Sequence, residues 1–215
     1  MIPISKKSEP AELIQLRRKV EKTGRPAVYE DLQNPEKVKV LKKLIKEQGG
    51  ICAYCMCRIS AEKNGGATIE HIVPRSRNPK LGLDYKNMVA VCPGNREASD
   101  EKDKSCDASR GNKDMLLNPC EKDTLRRIYY SNSGRIYSTD GNEQQDLDDA
   151  LHLNSARDLV RRRKSALDGM LKVIDKNHSG DKDYYNRVLE DFQSEGTEKP
   201  PFVGILIWWL SKRAI

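Results

Sequence analysis

Thr68-Ile69-Glu70-His71-Ile72-Val73-Pro74-Arg75-Ser76 decides how this chain reads. Ile69, Ile72 and Val73 are β-branched and apolar and predict a strand, yet an acid and an imidazole sit side by side within the run. Burying both requires a partner for each, and a metal ion would supply one. Working outward, Cys52-Ala53-Tyr54-Cys55 lies upstream, while Cys92, at the end of the apolar run Met88-Val89-Ala90-Val91, and Cys106 lie downstream. A C-x-x-C pair and two later cysteines around one histidine predict a tetrahedral zinc held by Cys52, Cys55, Cys92 and Cys106. The plainer alternative is that these are small buried hydrophobes. Cys57 and Cys120 are left over; Cys57 can compete with Cys55, and Cys120 beside Pro119 is expected to pack.

Composition sets the limits. Of 215 residues, 39 are Lys or Arg and 32 Asp or Glu, a formal charge of +7, with a sequence pI of about 9.0. That excess suits a polyanionic partner but equally describes a soluble basic surface. An apolar content of 37% supports a modest core. Met1 to Lys7 contain no apolar signal-peptide core, so a cytoplasmic chain with reduced cysteines is expected. The longest apolar run, Pro200 to Leu210, is far short of the roughly 20 residues a membrane helix takes.

Three segments follow. Residues 1–50 read as a helical arm: one helix after Glu9-Pro10 carries Leu13, Leu16 and Val20, and a second, capped by Asn34 with Pro35 at its first position, runs to Gly49-Gly50. Residues 51–117 hold the cysteines, a flexible turn at Lys63-Asn64-Gly65-Gly66, strands over 67–73 and 88–92, a charged insert 93–105 and a helix over about 107–116. Residues 118–215 begin with a hairpin around Ser131-Asn132-Ser133-Gly134. A long helix capped by Asn154 comes next, carrying Arg161-Arg162-Arg163-Lys164 as a candidate backbone-tracking patch. The final helix crowds Phe202, Ile205, Leu206, Trp208, Trp209 and Leu210 around nearly every side. It is expected either to meet a partner or to fold back on the helix over 155–174.

The order Cys-x-x-Cys, Glu-His-Ile-Val-Pro-Arg-Ser, Tyr85-Lys86-Asn87, Cys, Cys resembles the HNH (ββα-metal) endonucleases. The resemblance implies an α+β fold in which a zinc-stabilised ββα-metal core carries α-helical additions at both ends. It implies that His71 activates water, Glu70 holds a catalytic magnesium or manganese ion, and Asn87 orients the loop between the strands. The third metal ligand is expected just after the last cysteine, where the family has His or Asn and this chain has Asp107; Asn112 and then Ser109 are the alternatives. Arg75, Arg77, Lys80 and Lys86 lie in the intervening loop, where phosphate contacts are expected.

The likeness continues through Met1-Ile2-Pro3-Ile4, Gln48-Gly49-Gly50-Ile51, Cys92-Pro93-Gly94-Asn95 and Leu151-His152-Leu153-Asn154. These look like the HNH subunit family, PtuB, of Septu-type anti-phage systems, some members of which accompany retrons. That resemblance implies a nucleic-acid substrate, DNA or tRNA. It also implies an ATPase partner of PtuA type and, in retron-associated systems, a reverse transcriptase with its nucleic acid. No G-x-x-x-x-G-K-[ST] occurs in the sequence, so such an ATPase is a separate chain. A non-catalytic zinc module that binds nucleic acid would keep the cysteines and the basic residues without needing Glu70, His71 and Asn87 together.

Overall fold

The computed structural model describes residues 1–62, 66–156 and 158–214; Lys63, Asn64 and Gly65 of the expected flexible turn lie outside them. The chain is mixed α+β, with two small antiparallel sheets among helices. Helix α1 (Ala11–Glu21) follows Pro10 and buries Leu13 and Val20. Helix α2 (Glu36–Glu47) buries Val40, Leu41 and Leu44. Its expected Asn34 cap does not form: the Asn34-Pro35 peptide is cis, Pro35 occupies the cap position, and no side chain caps the helix.

Strands β1 (Thr68–His71) and β2 (Met88–Val91) pair antiparallel, with Glu70 opposite Val89 and His71 opposite Met88. All four residues of β2 are buried, which explains an unbroken apolar run where an exposed strand would alternate. Side chains finish its outer edge. Gln48 donates to the Ala90 carbonyl at 2.8 Å and accepts from the Ala90 N–H at 2.7 Å, and Lys6 Nζ donates to the Met88 carbonyl at 2.9 Å.

Helix α3 (Cys106–Arg110) is half the length expected from the sequence. It stops at Gly111, whose φ of +55° lies in the left-handed region. Helix α4 (Lys122–Leu125) leads into strands β3 (Ile128–Tyr130) and β4 (Ile136–Ser138), the predicted hairpin. At its turn Gly134 has φ +90°, and a Cβ there would stand 2.2 Å from the Val160 carbonyl oxygen, so only glycine lets the turn lie this close.

Helix α5 (Gly141–Gln145) runs into a π-helical turn, Asp146–Ala150. Helix α6 (Leu159–Asn177) starts five residues beyond Asn154, after Asp158 in the left-handed region. Asn154 does not cap it; its side chain instead bonds the N–H and C=O of Ile136 at 2.9 and 2.7 Å, tying the hairpin down. The run Arg161 to Lys164 is not one cationic surface either. Arg163 is buried and donates to the carbonyls of Gly134 and Leu153, both at 2.6 Å. Arg161 pairs with Asp158, Lys164 with Asp168, and Arg162 lies over Phe202.

Helices α7 (Lys182–Gln193) and α8 (Val203–Ser211) close the fold. Of the two covers expected for α8, the intramolecular one is found: Val203, Ile205 and Leu210 are fully buried against α6, α7 and β3, and of its apolar residues only Ile207 and Trp208 are partly exposed. A helix apolar on every side is stable only when surrounded, and the chain itself surrounds this one. One continuous core runs from Met1 and Ile4 through β2 to Leu210, drawing on all three sequence segments. Among the described residues no helix is long and apolar enough to cross a membrane.

Candidate metal centre and the adjoining acidic cleft

Cys52 and Cys55 are presented by a tight knuckle. The Cys52 N–H donates to the Cys57 carbonyl at 2.9 Å and the Met56 N–H to the Cys52 carbonyl at 3.0 Å, while Met56 itself takes a φ of +62°. On the other side, the charged insert is looped out between two residues that touch. Ser105 N–H donates to the Gly94 carbonyl at 2.8 Å, and a Cβ on Gly94 would fall 1.9 Å from the Ser105 oxygen. That close approach brings Cys92 and Cys106 together despite the long insert.

The four buried sulfurs of Cys52, Cys55, Cys92 and Cys106 all lie within 4.8 Å of one another. Cys52 and Cys106 are 3.9 Å apart and Cys55 and Cys92 3.7 Å. A tetrahedral zinc site with bonds of about 2.3 Å separates its sulfurs by about 3.8 Å, so the group fits a single structural metal ion such as zinc. Hydrogen bonding from Cys106 lowers the Cys92 thiol to about 5, while hydrogen bonding from Cys52 raises that of Cys106. Cys57 is buried beside the group but outside it, and Cys120 stands apart, half-buried, with burial raising it to about 11.

Next to this centre lies a cleft of about 680 Å³ lined by Glu70, His71, Asp107 and Asn112 among others. His71 is buried, and its Nε2 stands 3.0 Å from the Gly82 carbonyl. A carbonyl only accepts, so Nε2 carries the proton and Nδ1 keeps the lone pair. Burial lowers the imidazole pKa, with Arg75 and Arg110 adding to the effect, so the ring is neutral at pH 7. Asn87 works from behind: its Oδ1 accepts from the Val73 N–H at 2.8 Å, and its Nδ2 donates to the carbonyls of Val73 at 3.1 Å and Leu81 at 3.3 Å. It therefore pins both ends of the loop that carries Gly82.

Glu70 found its partner in a residue the sequence reading did not single out. Arg110, fully buried, pairs with Glu70 and also donates to the Tyr54 hydroxyl at 3.0 Å and the carbonyls of His71 at 2.8 Å and Ile72 at 2.5 Å. One guanidinium thus joins the cysteine knuckle, β1 and α3. Even so, burial and the neighbouring Asp107 carboxylate push Glu70 up to about 7 against the pull of Arg110. Asp107 pairs with the exposed Arg96.

Of the three residues weighed for the third position, Asp107 and Asn112 line the cleft, whereas the Ser109 hydroxyl is buried without a hydrogen-bond partner and does not. Among the described residues, the cysteine set is the only group of three or more His, Cys, Asp or Glu side chains close enough to share one ion. On the metal-binding side the cleft offers the carboxylates of Glu70 and Asp107 and the Asn112 amide, all oxygen donors, rather than a closed cage, and a third carboxylate, Glu30, lines the far wall.

The cations divide. Arg75 lines the cleft together with Lys37 and Arg96, whereas Arg77 pairs with Asp114 at 3.1 Å, and Lys80 and Lys86 are exposed outside the lining. Lys37 and Tyr29 come from the segment read as a separate arm. Position one turn into the helix begun by Cys106 is the sole sequence signal that marked Arg110; Lys37 showed only as one of several lysines on the second helix, a face that reads as solvated or as a nucleic-acid contact, and for Tyr29 there was no signal.

His152 and His178 belong to neither site. His152 Nδ1 lies 3.2 Å from the Lys104 carbonyl, and His178 stacks on Tyr184 at 3.6 Å. The sequence matches no protein-family model and no curated protein.

Proposed function

We propose that this chain is a metal-dependent HNH endonuclease, with β1, β2 and α3 as its ββα-metal unit and a nucleic-acid phosphodiester as its substrate. The observation that carries the reading is the convergence of Glu70, His71 and Asp107 on one cleft, with Asn87 fixing the loop behind it. His71 has the required form. Its Nε2–H is committed to Gly82, and burial favours the neutral ring, so Nδ1 can accept a proton from water. The water oxygen then bonds to phosphorus and the bond from phosphorus to the leaving sugar oxygen breaks, that oxygen taking a proton from solvent to leave as a hydroxyl.

Glu70 and Asp107, with Asn112, are the residues that would hold a divalent ion. Two carboxylates plus waters suit magnesium or manganese, while the thiolates suit zinc. When bound, that ion would supply positive charge to the scissile phosphate. Arg96, exposed on Asp107, can yield its carboxylate; Arg110, buried, keeps Glu70 aligned while holding the strand that bears His71. Following the sequence resemblance, the nuclease would serve as the effector subunit of an anti-phage complex with a PtuA-type ATPase.

The test incubates the zinc-loaded chain, alone and with such a partner, with plasmid DNA and with total tRNA, with and without magnesium. Cleavage that needs magnesium and disappears in His71→Ala, at unchanged zinc content and melting temperature, is the expected result. Cleavage retained by His71→Ala would remove it as the base. Binding without cleavage by wild type in every arm would favour the non-catalytic zinc module.

A further inference from the structure

Residues 28–37 were expected to belong to a separate arm, yet Val28, Tyr29, Glu30 and Lys37 form one wall of the cleft opposite β1. Tyr29 stands against the His71 ring, edge to face, with centroids 4.7 Å apart. Two cations from different parts of the chain converge on the same tyrosine ring: Arg75 at 4.5 Å and Lys37 at 5.2 Å from its centroid. Among the described residues Lys37 makes no ion pair, and Arg75 pairs with Glu30, an acid 69% exposed. An exposed pair of that kind contributes little and exchanges readily for another anion. Among the described residues the Tyr29 hydroxyl has no hydrogen-bond partner, and the contacts of its neighbours are with the ring.

Gathering two like charges beside one ring is unfavourable unless an anion completes the group. The ring face offsets part of that repulsion, and cation–π contacts are worth about 0.5–1 kcal/mol at exposed sites. Set directly beside His71, the anion that fits is a phosphate of the chain being cut, next to the one attacked. A guanidinium and an ammonium complement each other there, one forked and one a point charge.

We infer that Tyr29, Lys37 and Arg75 form a phosphate subsite flanking the scissile position, in which Tyr29 is the positioning residue and the two cations make the contacts. This rests on the nuclease reading for its place beside the reaction, but binding tests it separately from cleavage. The measurement is fluorescence anisotropy of a labelled DNA duplex with the zinc-loaded chain across a salt series, without added divalent ion so that nothing is cut.

Each phosphate contact contributes roughly 0.9 to the slope of log affinity against log salt on duplex DNA. Lys37→Gln and Arg75→Gln should each lower the slope by about that amount, and Lys172→Gln, on the exposed side of α6, should leave it unchanged. Tyr29→Ala should lose both contributions together, and Tyr29→Phe should keep them, because a ring and not a hydroxyl carries the cations. Slopes for Lys37→Gln and Arg75→Gln equal to that of wild type would overturn the subsite, as would loss in Tyr29→Phe equal to that in Tyr29→Ala at unchanged melting temperature. A wild-type chain that cuts nothing would sink the nuclease reading and leave these slopes to decide the subsite.

Discussion

The cysteine centre and the acidic cleft share helix α3, and its first two residues part company there: Cys106 turns into the protein and Asp107 faces the opening. In the centre, the sulfurs pair as Cys52 with Cys106 and Cys55 with Cys92, at spacings a single ion would set. In the cleft the acids and the imidazole are already engaged by something else: Glu70 by Arg110, Asp107 by Arg96, His71 by Gly82 and Tyr29. The lesson is one of completeness. A closed site is finished by its ion, whereas an open one keeps its groups in pairs that a substrate must rearrange, and it therefore borrows residues from several parts of the chain.

The largest effect should come from the closed site. Cys52→Ser or Cys106→Ser should abolish the stoichiometric zinc of about one per chain and with it the folded state, because structural zinc contributes about 10 kcal/mol or more, comparable to the whole stability of a domain. Cys57→Ala and Cys120→Ala should retain the metal. Elemental analysis and thermal melting of the same preparations check this, and a Cys106→Ser chain that melts like wild type would erase the distinction between the two regions.

A smaller but still large effect belongs to the residue that joins them. Arg110→Met leaves Glu70 buried without its cation and strips the carbonyls of His71 and Ile72 of a donor, a change worth about 3–5 kcal/mol. Glu70→Gln should cost less, since the guanidinium keeps its other acceptors. Urea unfolding at saturating zinc measures both. If Arg110→Met cost under about 1 kcal/mol, the two regions would be energetically independent despite their shared strut.

The smallest effect is a pH dependence. Because burial lowers the folded pKa of His71 below its ordinary 6.5, the unfolded chain takes the proton first, and stability attributable to this residue is present at neutral pH and lost as pH falls through that value. The stability difference between wild type and His71→Gln should therefore shrink from pH 7 to pH 5. A difference that stays flat would mean an imidazole open to water, and a cleft less built than the contacts indicate.

What the sequence disclosed follows the same division. Four cysteines of one chemistry are recognisable by spacing, and Gly94 closing on Ser105 explains why a long insert did not spoil it. The hairpin and the long helices showed through their periodicity, although Asn154 and Asn34, both of cap-forming type, serve other geometries: a side-chain clasp on Ile136 and a cis bond to Pro35. Arg163 was hidden among its neighbours because a run of four cations reads as surface, and only tertiary carbonyls reveal that one of them is core. Glu70 posed a question, how to bury an acid, to which the sequence offered a metal and the fold supplied Arg110. Tyr29 and Lys37 lie more than 30 residues before His71, and no local pattern joins parts of a chain that meet only when folded.

Lys6 and Gln48 reach the side of β2 that no strand covers, taking the Met88 carbonyl and both polar groups of Ala90. An open strand edge is a template on which another chain can add itself, through misassembly or by capture of an extended peptide. With those groups taken, the Ala90 carbonyl by the Ala53 N–H as well, this edge of the most apolar strand has little left with which to join a neighbour.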